Sequence, residues 1–180
     1  ISIGSILAFA AIFIGLIFIE FPNTPLWIAI FITALVGIIM GLINGIIVTK
    51  FNVHSIIVTL GTLSLYRGLV FIVSGGRQID RNDIPLSIIA FSQTSFLFSI
   101  PSILIVSLII VLFTYYVMKH TIIGREIYAT GSNPVAAHLK GINVTKVTLF
   151  VFGTCGMLSG IAGLFYASRF GYVNPGVTGV

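Results

Sequence analysis

The sequence predicts an all-α fold, a polytopic transmembrane bundle with about five membrane-spanning helices. Of its 180 residues, 57% are hydrophobic and only 7% are charged, whereas about a quarter of the residues in a soluble domain are charged. The apolar residues fall into five long runs, and a helix needs about 20 residues to cross the hydrocarbon core. Helices are favoured because backbone groups in lipid must be paired within their own segment.

The five runs are predicted helices, taken in chain order. The first two carry no charged side chain, and the third contains His54 and Arg67. The fourth is the shortest, so it must stand nearly upright or be shielded by protein. The runs cover 1–19, 27–48, 53–73, 101–118 and 147–165.

The connections between the runs predict the orientation. One side holds five Lys and Arg residues and the other holds three: Lys50, Lys119, Arg125, Lys140 and Lys146 against Arg77, Arg81 and Arg169. Because cytoplasmic loops carry the excess of Lys and Arg, we assign the first side to the cytoplasm. This makes 119–146 a cytoplasmic loop and 74–100 a periplasmic loop, with a short interfacial helix expected over 86–98.

Charge and motifs exclude several function classes. The net charge of +5 is spread singly between apolar runs, without the basic stripe of a nucleic-acid-binding protein. The sequence has no H-E-x-x-H, no G-x-S-x-G, no metal-ligand cluster and no phosphate-binding loop. We therefore expect no catalytic residue, no metal site and no cofactor on this chain.

Small residues recur at every third or fourth position on two of the runs. The second run has such a stripe over 29–45 and the fifth over 153–167. On a helix each stripe forms one smooth face that a neighbour can approach closely. Helix packing is the plainer interpretation, and a sliding contact during gating is the alternative.

Ionisable residues within a membrane segment are candidates for function by default. His54 lies at the cytoplasmic end of the third run, where it has either a capping role or a functional one. Arg67 lies deeper, and it either extends to the headgroups or lines a polar pathway. All four acidic residues lie in loops, which disfavours a proton-coupled carrier.

The cytoplasmic loop contains a predicted short helix. Asn133 suits the N-cap and Pro134 the first helical position, while Gly141 suits the position past the end. Val135 and Leu139 share one face. This face fits a groove on a soluble partner or rests on the membrane surface, and the residues alone leave both open.

The same loop, which includes G-R-E-I-Y-A-T-G-S-N at 124–133 and ends in G-I at 141–142, resembles the cytoplasmic loop of binding-protein-dependent ABC importer permeases. The resemblance is to the ribose, xylose and arabinose class. Further stretches agree, including I-S-I-G-S at 1–5, N-G at 44–45 and T-L-G-T at 59–62. Within the class, Y-R-G at 66–68 is most similar to autoinducer-2 import permeases.

The resemblance implies site residues and partners. The ATPase-coupling residues would be Gly124, Arg125, Gly131, Asn133, Ala136, Ala137, Leu139 and Gly141. Asn44, His54, Thr59 and Arg67 are candidates for the substrate pathway. The implied partners are a second permease subunit, a cytoplasmic ABC ATPase that binds ATP and magnesium, a periplasmic solute-binding protein and the lipid of a bacterial inner membrane.

The expected function is therefore that of a permease subunit for a sugar or sugar-like solute, without enzymatic activity of its own. A secondary transporter or channel without an ATPase is the alternative, and a membrane scaffold subunit is a third possibility. The first residue is Ile rather than Met, so we expect 1–180 to be a single permease domain truncated at both ends.

Overall fold

The computed structural model describes residues 1–85, 88–90, 95–96 and 100–176. Within these, five helices are long and apolar enough to cross a membrane, which confirms the predicted all-α bundle. The helices are α1 (Ile3–Glu20), α2 (Leu26–Phe51), α3 (Ser55–Ser74), α4 (Ser102–His120), α5 (Ile122–Ser132), α6 (Pro134–Leu139) and α7 (Val144–Phe170). A 3₁₀ turn (Arg81–Asp83) and two short antiparallel strands, β1 (Ser95–Phe96) and β2 (Ile100–Pro101), lie between α3 and α4.

The spanning helices α2 and α7 are longer than their apolar runs. Helix α2 has 26 residues and continues through Lys50 to Phe51. The next residue, Asn52, takes the left-handed conformation at φ 50. Helix α7 has 27 residues, and the Asn143 side chain caps its start by accepting a hydrogen bond from the Lys146 N–H. At 1.5 Å per residue, α7 is about 40 Å long. Both helices are therefore longer than the hydrocarbon core of a bilayer, which is about 30 Å thick.

Helix α1 occupies the centre of the bundle and packs against α2, α3 and α7. Its side chains Ala11, Ile12 and Ile14 are completely buried, and Phe18 is almost so. Because no charge occurs before Glu20, α1 can be surrounded by other helices without burying an unpaired ion.

Helices α2 and α7 form the most extensive contact, and they do so through the two small-residue stripes. A Cβ built on Gly156 would lie only 2.9 Å from the Cα of Gly41. The stripe on α7 also reaches α1, because a Cβ on Gly163 would lie 3.1 Å from the backbone nitrogen of Ala11. The stripes therefore serve helix packing, as the plainer interpretation predicts.

Helix α4 is the most exposed of the five spanning helices. Its contacts are mainly with α5 and β2, and Ser102 is its buried residue. The spanning part of α4 therefore has little shielding from protein within this chain.

The bundle has two distinct ends. Helices α1, α3 and α7 finish at one end, which we call the outer end after the predicted orientation, and α5 and α6 lie at the opposite, inner end. At the outer end, the Thr24 hydroxyl donates to the Phe21 carbonyl at 2.7 Å and closes the turn between α1 and α2.

The interfacial helix expected over 86–98 lies partly outside the described residues. Within that range, 88–90 are helical, but Ser95–Phe96 is a strand.

Candidate functional site

Helix α6 begins at the predicted cap. The Asn133 side chain accepts hydrogen bonds from the N–H groups of Val135 and Ala136, each at 3.0 Å. Pro134 occupies the first helical position, where its missing N–H costs nothing because the first N–H groups of a helix have no internal partner. The sequence prediction for this end of α6 is confirmed.

The other end of α6 is closed by a Schellman motif. Gly141 has φ 84, and its N–H donates to the His138 carbonyl at 2.9 Å, while the Ile142 N–H donates to the Ala137 carbonyl at 3.1 Å. This pair of bonds satisfies carbonyls that the helix leaves open, and it needs a residue in the left-handed region. Gly141 is therefore where the sequence analysis placed it, just past the helix end.

The apolar face of α6 is uncovered in this chain. Val135 is 71% exposed and Leu139 is 82% exposed, with Ala136 exposed beside them. Ala137 is only 2% exposed. The helix thus presents large apolar side chains outward on a backbone that is fixed at both ends.

Helix α5 is the element that the sequence analysis missed. We expected one short helix within 119–146, but α4 continues to His120 and α5 follows almost at once. The Thr121 hydroxyl oxygen accepts from the Gly124 N–H at 3.2 Å and caps α5. Gly124 is buried, and a Cβ there would lie 2.7 Å from the Cα of Met118, so this turn requires glycine. A Thr directly before an apolar helical stretch was the available signal.

The predicted coupling residues fall into two groups. Some hold α5 and α6 in shape, and others have exposed positions. The first group is Gly124, Asn133, Ala137 and Gly141, and the second is Arg125, Gly131, Ala136 and Leu139. The geometry thus separates residues that position α5 and α6 from those that are free to make contact.

A second polar site lies inside the bundle, where α1, α2 and α3 meet. The amide nitrogen of Asn44 donates to the Ser2 hydroxyl at 2.9 Å, and the Tyr66 hydroxyl lies 3.2 Å from the other amide atom, Oδ1. The Tyr66 hydroxyl is also 2.9 Å from the Met40 carbonyl. All three side chains are buried. These contacts link three helices by polar atoms within the apolar interior.

Of the four predicted pathway residues, the structure brings two together. Asn44 and Thr59 line a cavity of about 190 Å³, together with Ser2 and Cys155. His54 occupies the N-cap position of α3, but its side chain makes no capping hydrogen bond, and it is exposed. Arg67 is also exposed. Neither His54 nor Arg67 lines the cavity.

Tyr66 was missed as a site residue, although its spacing contained the signal. Thr59, Thr62, Tyr66 and Val70 recur at intervals of three and four and form the buried face of α3. A polar side chain on such a face must find a partner inside the protein. The cavity is lined by hydroxyl, amide, thiol and apolar side chains, none of them charged.

Comparison with known proteins places the whole chain in one family. The model of a family described as "Branched-chain amino acid transport system / permease component" matches residues 1–180. The "Ribose import permease protein RbsC" of Haemophilus influenzae is 38% identical over 180 residues, which cover 97% of this chain and 54% of that protein.

The "Autoinducer 2 import system permease protein LsrC" of Yersinia pseudotuberculosis serotype O:1b is 34% identical over 181 residues, covering 99% of this chain and 49% of that protein. The protein of the same name from Yersinia pestis (strain Pestoides F) gives the same identity and coverage. The chain thus spans about half the length of the curated relatives it matches. No solved structure gave a match.

Proposed function

Since this chain belongs to the family of transport-system permease components, we propose that it forms part of the membrane-spanning subunit of an ATP-driven, binding-protein-dependent importer. The proposed solute is sugar-like, because its relatives include a ribose import permease and autoinducer-2 import permeases. The uncharged lining of the cavity beside Asn44 and Thr59 supports a neutral, hydroxylated solute.

The observation that carries the proposal is the exposed, doubly capped helix α6. A two-turn helix held at both ends loses little conformational freedom when it binds. Its exposed Val135 and Leu139 side chains suit an apolar groove on a soluble protein. The proposed partner is a cytoplasmic ABC ATPase, which would bind ATP and magnesium, while this chain makes and breaks no covalent bond.

The remaining proposed partners follow from the exposed surfaces and the ends of the bundle. Large apolar side chains of α3 and α4 face outward, where lipid or a second permease subunit would cover them. A periplasmic solute-binding protein would deliver solute at the outer end, and the proposed location is a bacterial inner membrane. Transport would be a two-state change, driven by ATP at the inner end and by the loaded binding protein at the outer end.

Reconstitution tests the proposal directly. The whole permease would be placed in lipid vesicles with its ATPase and binding protein, and uptake of labelled ribose and of autoinducer-2 would be measured. We expect uptake only when ATP and binding protein are both present. Uptake by the permease alone, without the ATPase, would favour a secondary transporter or channel and would contradict the proposal.

A further inference from the structure

Two segments that follow different helices meet at the outer end of the bundle. Ile79, after α3, and Val173, after α7, form an antiparallel bridge in which each N–H donates to the other's carbonyl, at 3.0 and 2.9 Å. Both residues are completely buried. We call these two segments, 75–79 and 171–174, the outer latch.

The outer latch fills the space over the last turns of α1. A Cβ built on Gly15 would lie 2.8 Å from the Ile79 side chain, so Ile79 sits where Gly15 leaves room. Ile79 and Val173 belong to the same buried cluster as Ile14 and Phe18 of α1. Ile79, in the loop that follows α3, therefore covers the outer end of α1.

Glycines in the left-handed conformation connect both arms of the outer latch to their helices. Gly75 and Gly76 have φ 59 and 75, and Gly171 has φ 69. Positions of this kind can absorb the backbone changes of a hinge. Helix α3 packs mainly on α1 and α2, whereas α7 packs mainly on α2 and α1. The outer latch therefore joins two helices that share little surface.

We propose that the outer latch is a gate, which opens at the Ile79–Val173 bridge to admit solute and closes behind it. This proposal rests on the transport role given above. Opening breaks two backbone hydrogen bonds that water can replace, and it lifts two side chains off α1. The hinge glycines let both arms move while α3 and α7 stay packed in the bundle.

A reversible cross-link tests the gate in the whole permease. The variant carries Ile79→Cys and Val173→Cys, with Cys155→Ala and every other cysteine replaced. Residues that exchange both hydrogen bonds have Cα atoms about 5.5 Å apart, within the disulfide range. In the reconstituted importer, we expect oxidation to reduce ATP-dependent uptake at least tenfold and a reductant to restore it.

A second pair of cysteines tests the gate without changing the buried cluster. Gln78→Cys with Asn174→Cys joins the neighbouring position, where the two side-chain amides lie 3.5 Å apart, and leaves Ile79 and Val173 in place. Each single-cysteine variant serves as the control and should keep its uptake after oxidation.

The results separate the gate from the transport role. Full uptake with either cross-link formed would overturn the gate, because it would show that the bridge stays intact during transport. Absence of ATP-dependent uptake in the unoxidised wild-type importer would contradict the proposed function, and the gate with it.

Discussion

Asn44 and Tyr66 show how individual polar atoms position helices in an apolar bundle. Apolar contacts between helices give little preference over lipid, so packing shape and hydrogen bonds decide how the helices associate. The Tyr66 hydroxyl lies between the Met40 carbonyl and Asn44 Oδ1, and the Asn44 amide reaches Ser2 on the other side. Asn44 therefore fixes α2 against two neighbours at once.

We predict that Tyr66→Phe lowers the free energy of unfolding by about 1 kcal/mol, because it removes the hydroxyl that links α3 to Met40 and Asn44 of α2. The measurement is the thermal unfolding midpoint of the whole permease in detergent. Tyr128→Phe is the matched control, since Tyr128 is 64% exposed on α5. An equal loss of stability in both variants would show that the Tyr66 contact contributes nothing specific.

The contact between helices α2 and α7 depends on the absence of side chains. Gly37 and Gly41 face Gly156 and Gly160 so closely that any Cβ would meet the opposite backbone. Backbone cannot move aside as a side chain can, so the helices would have to separate. Even the smallest side chain at these glycine positions would therefore disrupt the contact.

We predict that Gly41→Leu sharply reduces recovery of assembled permease, whereas Ile39→Leu does not. The leucine at position 41 would force α2 and α7 apart, while Ile39 is half-exposed on another face of α2. Overpacking costs about 1–3 kcal/mol or more where the surroundings cannot shift. Membrane yield and the monodisperse fraction after size-exclusion chromatography provide the measurement. Similar recovery of both variants would show that the contact is loose.

How far the sequence predicted each element depends on the physical signal that the element carries. The spanning helices and the caps at Asn133 and Gly141 depend on local composition and conformation, so they were predictable. Helix α5 was missed because its 11 residues are too few and too polar to form a membrane-spanning run. The Ile79–Val173 bridge was also missed, since pairing between residues so far apart along the chain leaves no local pattern.

The four pathway candidates also differ in the signal that led to their prediction. Asn44 and Thr59 lie on buried helix faces, which their spacing to other small residues indicates. His54 and Arg67 were chosen because an ion within a membrane segment is costly, yet both are exposed in this chain. Side-chain charge alone does not reveal which face of a helix a residue occupies.

The predicted orientation of the whole molecule places α5 and α6 in the cytoplasm and the Arg81–Asp83 turn in the periplasm. We predict that His138→Cys is protected from a membrane-impermeant maleimide in intact cells, whereas Asn82→Cys is labelled. Both positions are exposed, so burial does not obscure the result. The background is Cys155→Ala, and permeabilised cells provide the control, in which both positions should react. The reverse pattern would invert the topology.

We predict that ATP-driven movement of the whole permease depends on Leu139 at the inner end. If Leu139 inserts into a groove on the ATPase, Leu139→Asp places a carboxylate there without a partner, at a cost on the order of several kcal/mol. We expect this variant to lose the ATPase from the membrane, or to leave hydrolysis unresponsive to the loaded binding protein.

The controls for this variant are substitutions at the same inner end of the bundle. His138→Gln changes an exposed side chain of α6 that is not among the predicted coupling residues. It should keep normal coupling, which would show that α6 tolerates substitution. Leu139→Met preserves the apolar contact and should behave in the same way. Binding-protein-stimulated ATP hydrolysis and solute uptake in vesicles provide the measurements. Wild-type coupling in Leu139→Asp would exclude docking through this face, and α6 would then be a helix that rests on the membrane surface.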